Sequence, residues 1–304
     1  MSENIIQTTA LNYSFDQRKI LKDLTLEVPK GSIYGFLGPN GAGKTTTIRL
    51  LLGLLKVKEA QIHLFGKDIR RNALEIYSRT GSLIEKPSLY GHLNGNENLE
   101  LCRRLCGAPY SRIQEVLRIV EMSTHAHTKI RKYSLGMKQR LGLALALIQN
   151  PELLILDEPT NGLDPSGIIE MRKLLLKLNQ DFGKTIFLSS HILSEIELLV
   201  THIGIIDLGE LKFQGSLHEL QNLSQPKLRI STNNSEKASK LLKQKEINIS
   251  KQTGQFVEIG IKDEKQIASL NEYLVANNLH IYGLQMNNQK LENIFLNLTN
   301  TIDA

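Results

Sequence analysis

Gly38-Pro39-Asn40-Gly41-Ala42-Gly43-Lys44-Thr45 sets glycines, a lysine and a hydroxyl at the spacing G-x-x-x-x-G-K-[ST], between an apolar run and a stretch with helical spacing. Each residue type has a chemical reason. The glycines let backbone N–H groups converge on phosphate oxygens, and the following helix adds the positive end of its dipole. The Lys44 ammonium can reach β- and γ-phosphates, and the Thr45 hydroxyl can ligate Mg²⁺. A second cluster, Asp157-Glu158, closes the apolar run Leu153–Leu156. A carboxylate at the end of a buried strand can hold Mg²⁺ through water, and the next acid is placed to polarise an attacking water as general base. Taken alone, Asp157-Glu158 reads equally well as two solvated loop acids. Beside the phosphate loop, the pair specifies hydrolysis of a nucleoside triphosphate with Mg²⁺.

These groups need elements to hold them. Alternating apolar residues predict strands at Ile5–Leu11, Leu24–Val28 and Ser32–Leu37, with Pro29-Lys30-Gly31 as a turn. Helical spacing runs over Thr46–Leu55, and residues 72–150 read as helix-rich. Their apolar stripes, Leu99/Leu101/Leu105 and Ile113/Val116/Leu117/Val120, are expected in the core. Leu153–Leu156 reads as a buried parallel strand, Ile168–Leu178 as an amphipathic helix, and Thr185–Ser189 and Ile203–Ile206 as further strands. Strands alternating with helices predict an α/β domain with a mainly parallel sheet. At Ser224-Gln225-Pro226 the character changes. Strands Lys227–Ser231, Ile247–Ser250, Phe256–Ile261 and Ile281–Gln285 interleave with helices Ser235–Lys245 and Glu264–Asn277, and a last helix spans Lys290–Leu298. That order fits a ferredoxin-like α+β unit without a catalytic constellation. The expected domains are therefore residues 1–224, with a helical part at about 85–150, and residues 225–304.

The 304 residues suffice for two cores, and 41% hydrophobic with 22% charged residues excludes a disordered or collagen-like chain. No apolar run reaches the roughly 18 residues of a spanning helix. Met1-Ser2-Glu3-Asn4 lacks the basic start and apolar stretch of a secretory leader, so a cytoplasmic chain is expected. Cys102 and Cys106, four apart on a predicted helix, read as small apolar fillers of a reduced protein, and His125 and His127 as surface. Net charge is +6, and residues 61–150 carry fourteen Lys/Arg against seven Asp/Glu. That local excess suits either an idle solvated surface or an anionic neighbour, a lipid surface or nucleic acid.

Between and after these motifs, residues 3–220 resemble the nucleotide-binding subunit of ATP-binding-cassette transporters. Tyr133-Ser134-Leu135-Gly136-Met137-Lys138-Gln139-Arg140 looks like the family's signature, Asn161-Gly162-Leu163-Asp164 like its D-loop and Ser189-Ser190-His191 like its switch histidine. The resemblance implies a parallel core sheet with an antiparallel N-terminal β subdomain and a helical subdomain. It implies ATP with Mg²⁺ as cofactors, with ATP cradled by the residues from Gly38 to Thr46. Two copies would sandwich two ATP molecules, Ser134 and the Gly136 backbone of one meeting the γ-phosphate held by the other. His191 would bond that phosphate, Asp164 would sit at the dimer seam, and Phe15, or alternatively Tyr13, would stack on adenine.

Three positions depart from the family pattern. Leu135 stands where the family has Gly, Met137 where it has Gln, and Glu85 where its Q-loop has Gln. A carboxylate at Glu85 is a harder, charged Mg²⁺ ligand, which adds it to the catalytic and metal sets alongside Thr45 and Asp157. This loop, with Pro87-Ser88-Leu89-Tyr90 and the tail Leu291–Thr299, resembles the ATPase subunits of lantibiotic self-immunity and bacitracin-type exporters. The resemblance implies a motor at the cytoplasmic membrane surface that docks on integral membrane permease subunits. No nucleic acid is expected. The alternative is a soluble ATPase of the same superfamily acting on nucleic acid or ribosomes.

Overall fold

The computed structural model describes residues 3–56, 61–85, 87–222, 227–261, 264–287 and 291–299. They form two compact units, one up to Leu217 and a second from His218 to Asn297.

The first unit begins with β1 (Asn4–Thr8), β2 (Leu11–Phe15), β3 (Arg18–Leu24), β4 (Glu27–Pro29) and β5 (Ile33–Leu37), followed by α1 (Lys44–Leu51). Next come β6 (Ile62–Leu64), β7 (Lys67–Asp68), α2 (Ala73–Ser78) and β8 (Thr80–Leu83). Three longer helices follow: α3 (Gly95–Cys106), α4 (Ser111–Ile119) and α5 (Leu135–Leu147). The unit ends with β9 (Leu153–Asp157), α6 (Pro165–Gln180), β10 (Thr185–Ser190), α7 (Leu193–Ile196), β11 (His202–Asp207) and β12 (Glu210–Ser216). The short helix α8 (Leu217–Asn222) starts at its border.

Six strands make the core sheet in the order β12-β11-β5-β10-β9-β8, parallel except for β12. Every residue of β5, β9 and β10 is buried, as expected of a parallel sheet covered on both faces. Each Leu or Ile so buried contributes roughly 1.5–3 kcal/mol. The register matters for the site. Leu37 pairs with Ser190, and Ser189 with Asp157, so β5, β10 and β9 end level with one another. The chain leaves them as Gly38, His191 and Glu158. Beside this sheet lie an antiparallel sheet, β4-β1-β6-β7, and the hairpin β2-β3.

Local chemistry starts the helices. Asn94 and Glu97 form a capping box on α3, Ser134 caps α5, and Asp164 caps α6 just before Pro165. Helix α5 packs close to β8 because two glycines permit it. A Cβ on Gly81 would lie 2.2 Å from the Ala146 carbonyl oxygen, and one on Gly142 would lie 2.7 Å from Cγ of Pro87.

Several expectations need correction. Leu99 is buried, but Leu101 is 42% and Leu105 90% exposed, so the stripe is not core. At 100° per residue, positions 101 and 105 turn well away from 99, and α3 buries only Gly95, Asn98 and Leu99. The run Ile5–Leu11 is broken after Thr8, with Ala10 in the left-handed region at φ +44°. The helix expected over Thr46–Leu55 ends at Leu51. Residues 72–150 are helix-rich as expected, holding α2 to α5, and also supply β8, the edge of the core sheet. As the sequence predicts, Cys102 and Cys106 are free thiols on α3, and His125 and His127 are exposed.

The second unit contains β13 (Lys227–Thr232), α9 (Ser235–Gln244), β14 (Ile249–Gln252), β15 (Phe256–Gly260), α10 (Glu264–Ala276), β16 (Ile281–Asn287) and α11 (Leu291–Thr299) as far as Asn297. Its sheet order, β14-β15-β13-β16, is antiparallel throughout, the ferredoxin-like arrangement. Leu228, Ile230, Ala238, Leu242, Val257, Ile259 and Leu274 build its own core. The junction expected at Ser224-Gln225-Pro226 and the helix start at Lys290 lie outside the described residues.

Candidate functional site

The level ends of β5, β9 and β10 gather one group each. Gly41 and Gly43 adopt φ +83° and +111°, and this backbone turns the loop so that α1 starts at Lys44. Lys44 is 6% exposed, and its Nζ donates to the carbonyls of Gly38 (2.8 Å) and Pro39 (3.3 Å). It also lies 3.5 Å from Oε1 of Glu158. Burial pulls the Lys44 ammonium below its usual range, against the opposing pull of Glu158 and then Asp157. The loop therefore holds a poised cation whose carbonyl partners a phosphate can replace.

On the facing strand end, Thr45 Oγ1 donates to Asp157 Oδ2 at 2.9 Å. Ser189 Oγ donates to Asp157 Oδ1 at 2.5 Å and accepts from the Glu158 backbone N–H at 2.9 Å. Glu158 sits at φ +49°, a left-handed conformation that costs a non-glycine residue on the order of 1–3 kcal/mol. The Ser189 hydroxyl is one of the bonds that hold it there. Glu158 Oε2 lies 2.7 Å from His191 Nδ1. Lys44 and His191 thus both meet the Glu158 carboxylate, and Asp157 is tied beside them by Thr45 and Ser189.

These residues line a cleft of about 1330 Å³, together with Asn40, Gly41, Gly43, Thr46 and Glu85. Glu85 follows β8 at φ +54° and pairs through Oε1 with Arg49 Nη2 on α1, at 2.5 Å. Phe15 and Tyr13 are not among the lining residues. Their rings pack edge to face at 5.1 Å, with Phe15 46% exposed, while Arg18 and Ile20 of β3 reach the cleft instead. Ser134, Gly136 and Asp164 border a different cleft of about 920 Å³. Leu135 and Gly162 border both. Within one chain, Ser134, Gly136 and Asp164 therefore face a different space from the phosphate loop, while Leu135 and Gln139 of the signature reach the phosphate cleft.

Sequence reasoning missed Ser189 as a tie between the two acids and Arg18, Ile20, Gln139 and Asn161 as cleft walls. A signal existed for Ser189, a small hydroxyl at the end of the otherwise apolar Ile186-Phe187-Leu188. Arg18 and Ile20 carry no such mark, since only tertiary pairing brings their strand to the loop.

Residues 21–161 match the family described as "ABC transporter". The chain is 42% identical over 301 residues, 97% of each protein, to the bacitracin transport ATP-binding protein BcrA of Bacillus licheniformis. The chain belongs to the ATP-binding subunits of ABC transporters. The ABC subunit is also 40% identical to the lantibiotic transport ATP-binding protein SrtF of Streptococcus pyogenes, over 71% of this chain and 92% of that protein. Among solved structures, cbiO1 of Clostridium perfringens, part of the ABC transporter complex cbiONQ, is 26% identical with a TM-score of 0.66. The match covers 72% of the ABC subunit and 91% of cbiO1. The ABC subunit is thus an ATPase that binds ATP, couples its hydrolysis to transport and works with membrane permease subunits. None of its described helices is long and apolar enough to cross a membrane.

Proposed function

We propose that this ABC subunit powers a transporter that exports antimicrobial peptides of the bacitracin or lantibiotic type, as a homodimer at the cytoplasmic membrane surface. The observation that carries the cargo assignment is the likeness to a bacitracin transport subunit along 97% of both chains, second unit included. Residues 225–304 are then an accessory domain of that branch.

The cleft supports a division of labour in hydrolysis. Gly38 to Thr46 cradle the phosphates through backbone N–H groups, and Lys44 exchanges the Gly38 and Pro39 carbonyls for β- and γ-phosphate oxygens. Thr45 and Asp157, whose hard oxygens already lie 2.9 Å apart, fit Mg²⁺ and would hold it, with Glu85 as a further carboxylate on the cleft wall. Bound there, Mg²⁺ neutralises phosphate charge. Glu158 takes the proton of the attacking water. His191 orients Glu158 through Nδ1 and faces the γ-phosphate. Ser134, Gly136 and Asp164, turned to the second cleft, serve the nucleotide of the other copy. Phe15 stacks on adenine only if the β2-β3 hairpin shifts its ring toward the cleft.

The test uses Glu158→Gln, which traps ATP in the dimer, tagged and expressed in the native host. Mild detergent extraction and mass spectrometry should recover polytopic membrane proteins at near-equal yield. Deleting the gene should also lower the host's tolerance of bacitracin-type peptides. Unchanged tolerance would remove the cargo assignment. Recovery of ribosomal proteins alone would remove the transporter docking.

A further inference from the structure

The Glu85 carboxylate is a charged family departure on the cleft wall, and its partner is specific. Arg49 Nη2 meets Glu85 Oε1 at 2.5 Å. Arg49 lies four residues beyond Thr45 on α1, so the two side chains share one face of the helix. The two residues are separated by four positions, ~6 Å of rise along α1, and Thr45 in turn meets Asp157. Glu85 and Thr45 line the same cleft. Glu85 is 60% exposed at its side chain and Arg49 41%, so water competes for the pair and it can open at low cost.

We propose that Arg49 is a positioning residue that withholds Glu85 from the divalent cation until nucleotide and metal compete for it. This rests on the reading of Glu85 as a metal ligand. Two effects act with the same sign. Pairing with Arg49 occupies the carboxylate, and the guanidinium charge opposes a second cation at that same carboxylate. Removing Arg49 therefore tightens metal binding, and the tightening depends on Glu85.

The experiment is a Mn²⁺ titration followed by electron paramagnetic resonance, on the full chain saturated with a non-hydrolysable ATP analogue. Four proteins are compared: the parent, Arg49→Met, Glu85→Gln and the double variant. Methionine keeps the aliphatic stem, and thermal melts check that each variant is folded. Arg49→Met should lower the apparent Kd for Mn²⁺ about two- to fivefold, the range a half-exposed pair supports. In the Glu85→Gln background the same substitution should shift it by much less. An unchanged or weaker Kd in Arg49→Met overturns the proposal, as does an equal shift in both backgrounds. If Glu85→Gln alone leaves Mn²⁺ affinity untouched, Glu85 is no ligand and the underlying reading falls as well. If that variant weakens Mn²⁺ but Arg49→Met has no effect, only the role of Arg49 falls.

Discussion

Glu158 and Ser189 carry different burdens, and single substitutions separate them. Glu158→Gln keeps the shape and the backbone bond to Ser189 but removes the base. Hydrolysis should drop by ~10²–10⁴-fold while nucleotide affinity stays close to the parent's. Phosphate release and fluorescent-nucleotide binding, measured on one preparation, would show this, and undiminished hydrolysis would reject Glu158 as base. Ser189→Ala instead removes both the donor to Asp157 and the acceptor for the Glu158 N–H, deep in the sheet. Leaving those groups unpaired should cost roughly 1–3 kcal/mol, read as a lower unfolding midpoint in denaturant. It should also slow hydrolysis, because the left-handed turn at Glu158 loses a tether. Equal stability of variant and parent would mean that water replaces the hydroxyl.

Helix α5 and the Glu85 loop meet at Gly142, where a Cβ would lie 2.7 Å from Pro87 Cγ and 3.0 Å from Leu83 Cδ1. Gly142→Ala must push the loop aside and should destabilise the protein by roughly 1–3 kcal/mol. Gly91→Ala, with nothing within 4 Å, is the matched control and should be near neutral in the same thermal melt. In α3, Arg103 and then Arg104 donate to Glu100 and hold its carboxyl down at about 2. A folded pKa below the unfolded one stabilises above the unfolded value, and the benefit disappears as pH falls toward about 2. A carboxyl titration of Glu100 by NMR that ends near the ordinary 4.5 would contradict this. The elements themselves were unequally legible. Strands β5, β9 and β10 show as uninterrupted apolar runs because both faces are buried. The strand β12 is partly exposed on both faces, and β7 has two residues, so neither leaves a period to read. The stripe Leu99/Leu101/Leu105 misleads because apolar composition does not by itself define a face, and the angles between those positions place them apart. The phosphate loop and the acids needed no such inference, since their chemistry requires fixed neighbours in sequence. The walls contributed by Arg18, Gln139 and Asn161 come from distant segments and are visible only once folded.

Across the whole molecule, each unit buries a core of its own. Calorimetry should accordingly resolve two unfolding transitions. A nucleotide at about a hundred times its Kd should stabilise by ~2.7 kcal/mol only the transition of the unit that carries Lys44. A single transition, or an equal rise in both, would show that the units unfold as one. The nucleotide chemistry also concentrates around one partition. Leu135 and Gly162 stand between the phosphate cleft and the signature cleft, and a Cβ on Gly162 would lie 3.1 Å from Leu135 Cδ2. At φ +77° a side chain on Gly162 would be strained and would need Leu135 to give way, so these two residues form the wall shared by both clefts. A small inhibitor lodged in either cleft would press on the same leucine. One codon change at Leu135 would then alter susceptibility on both sides at once.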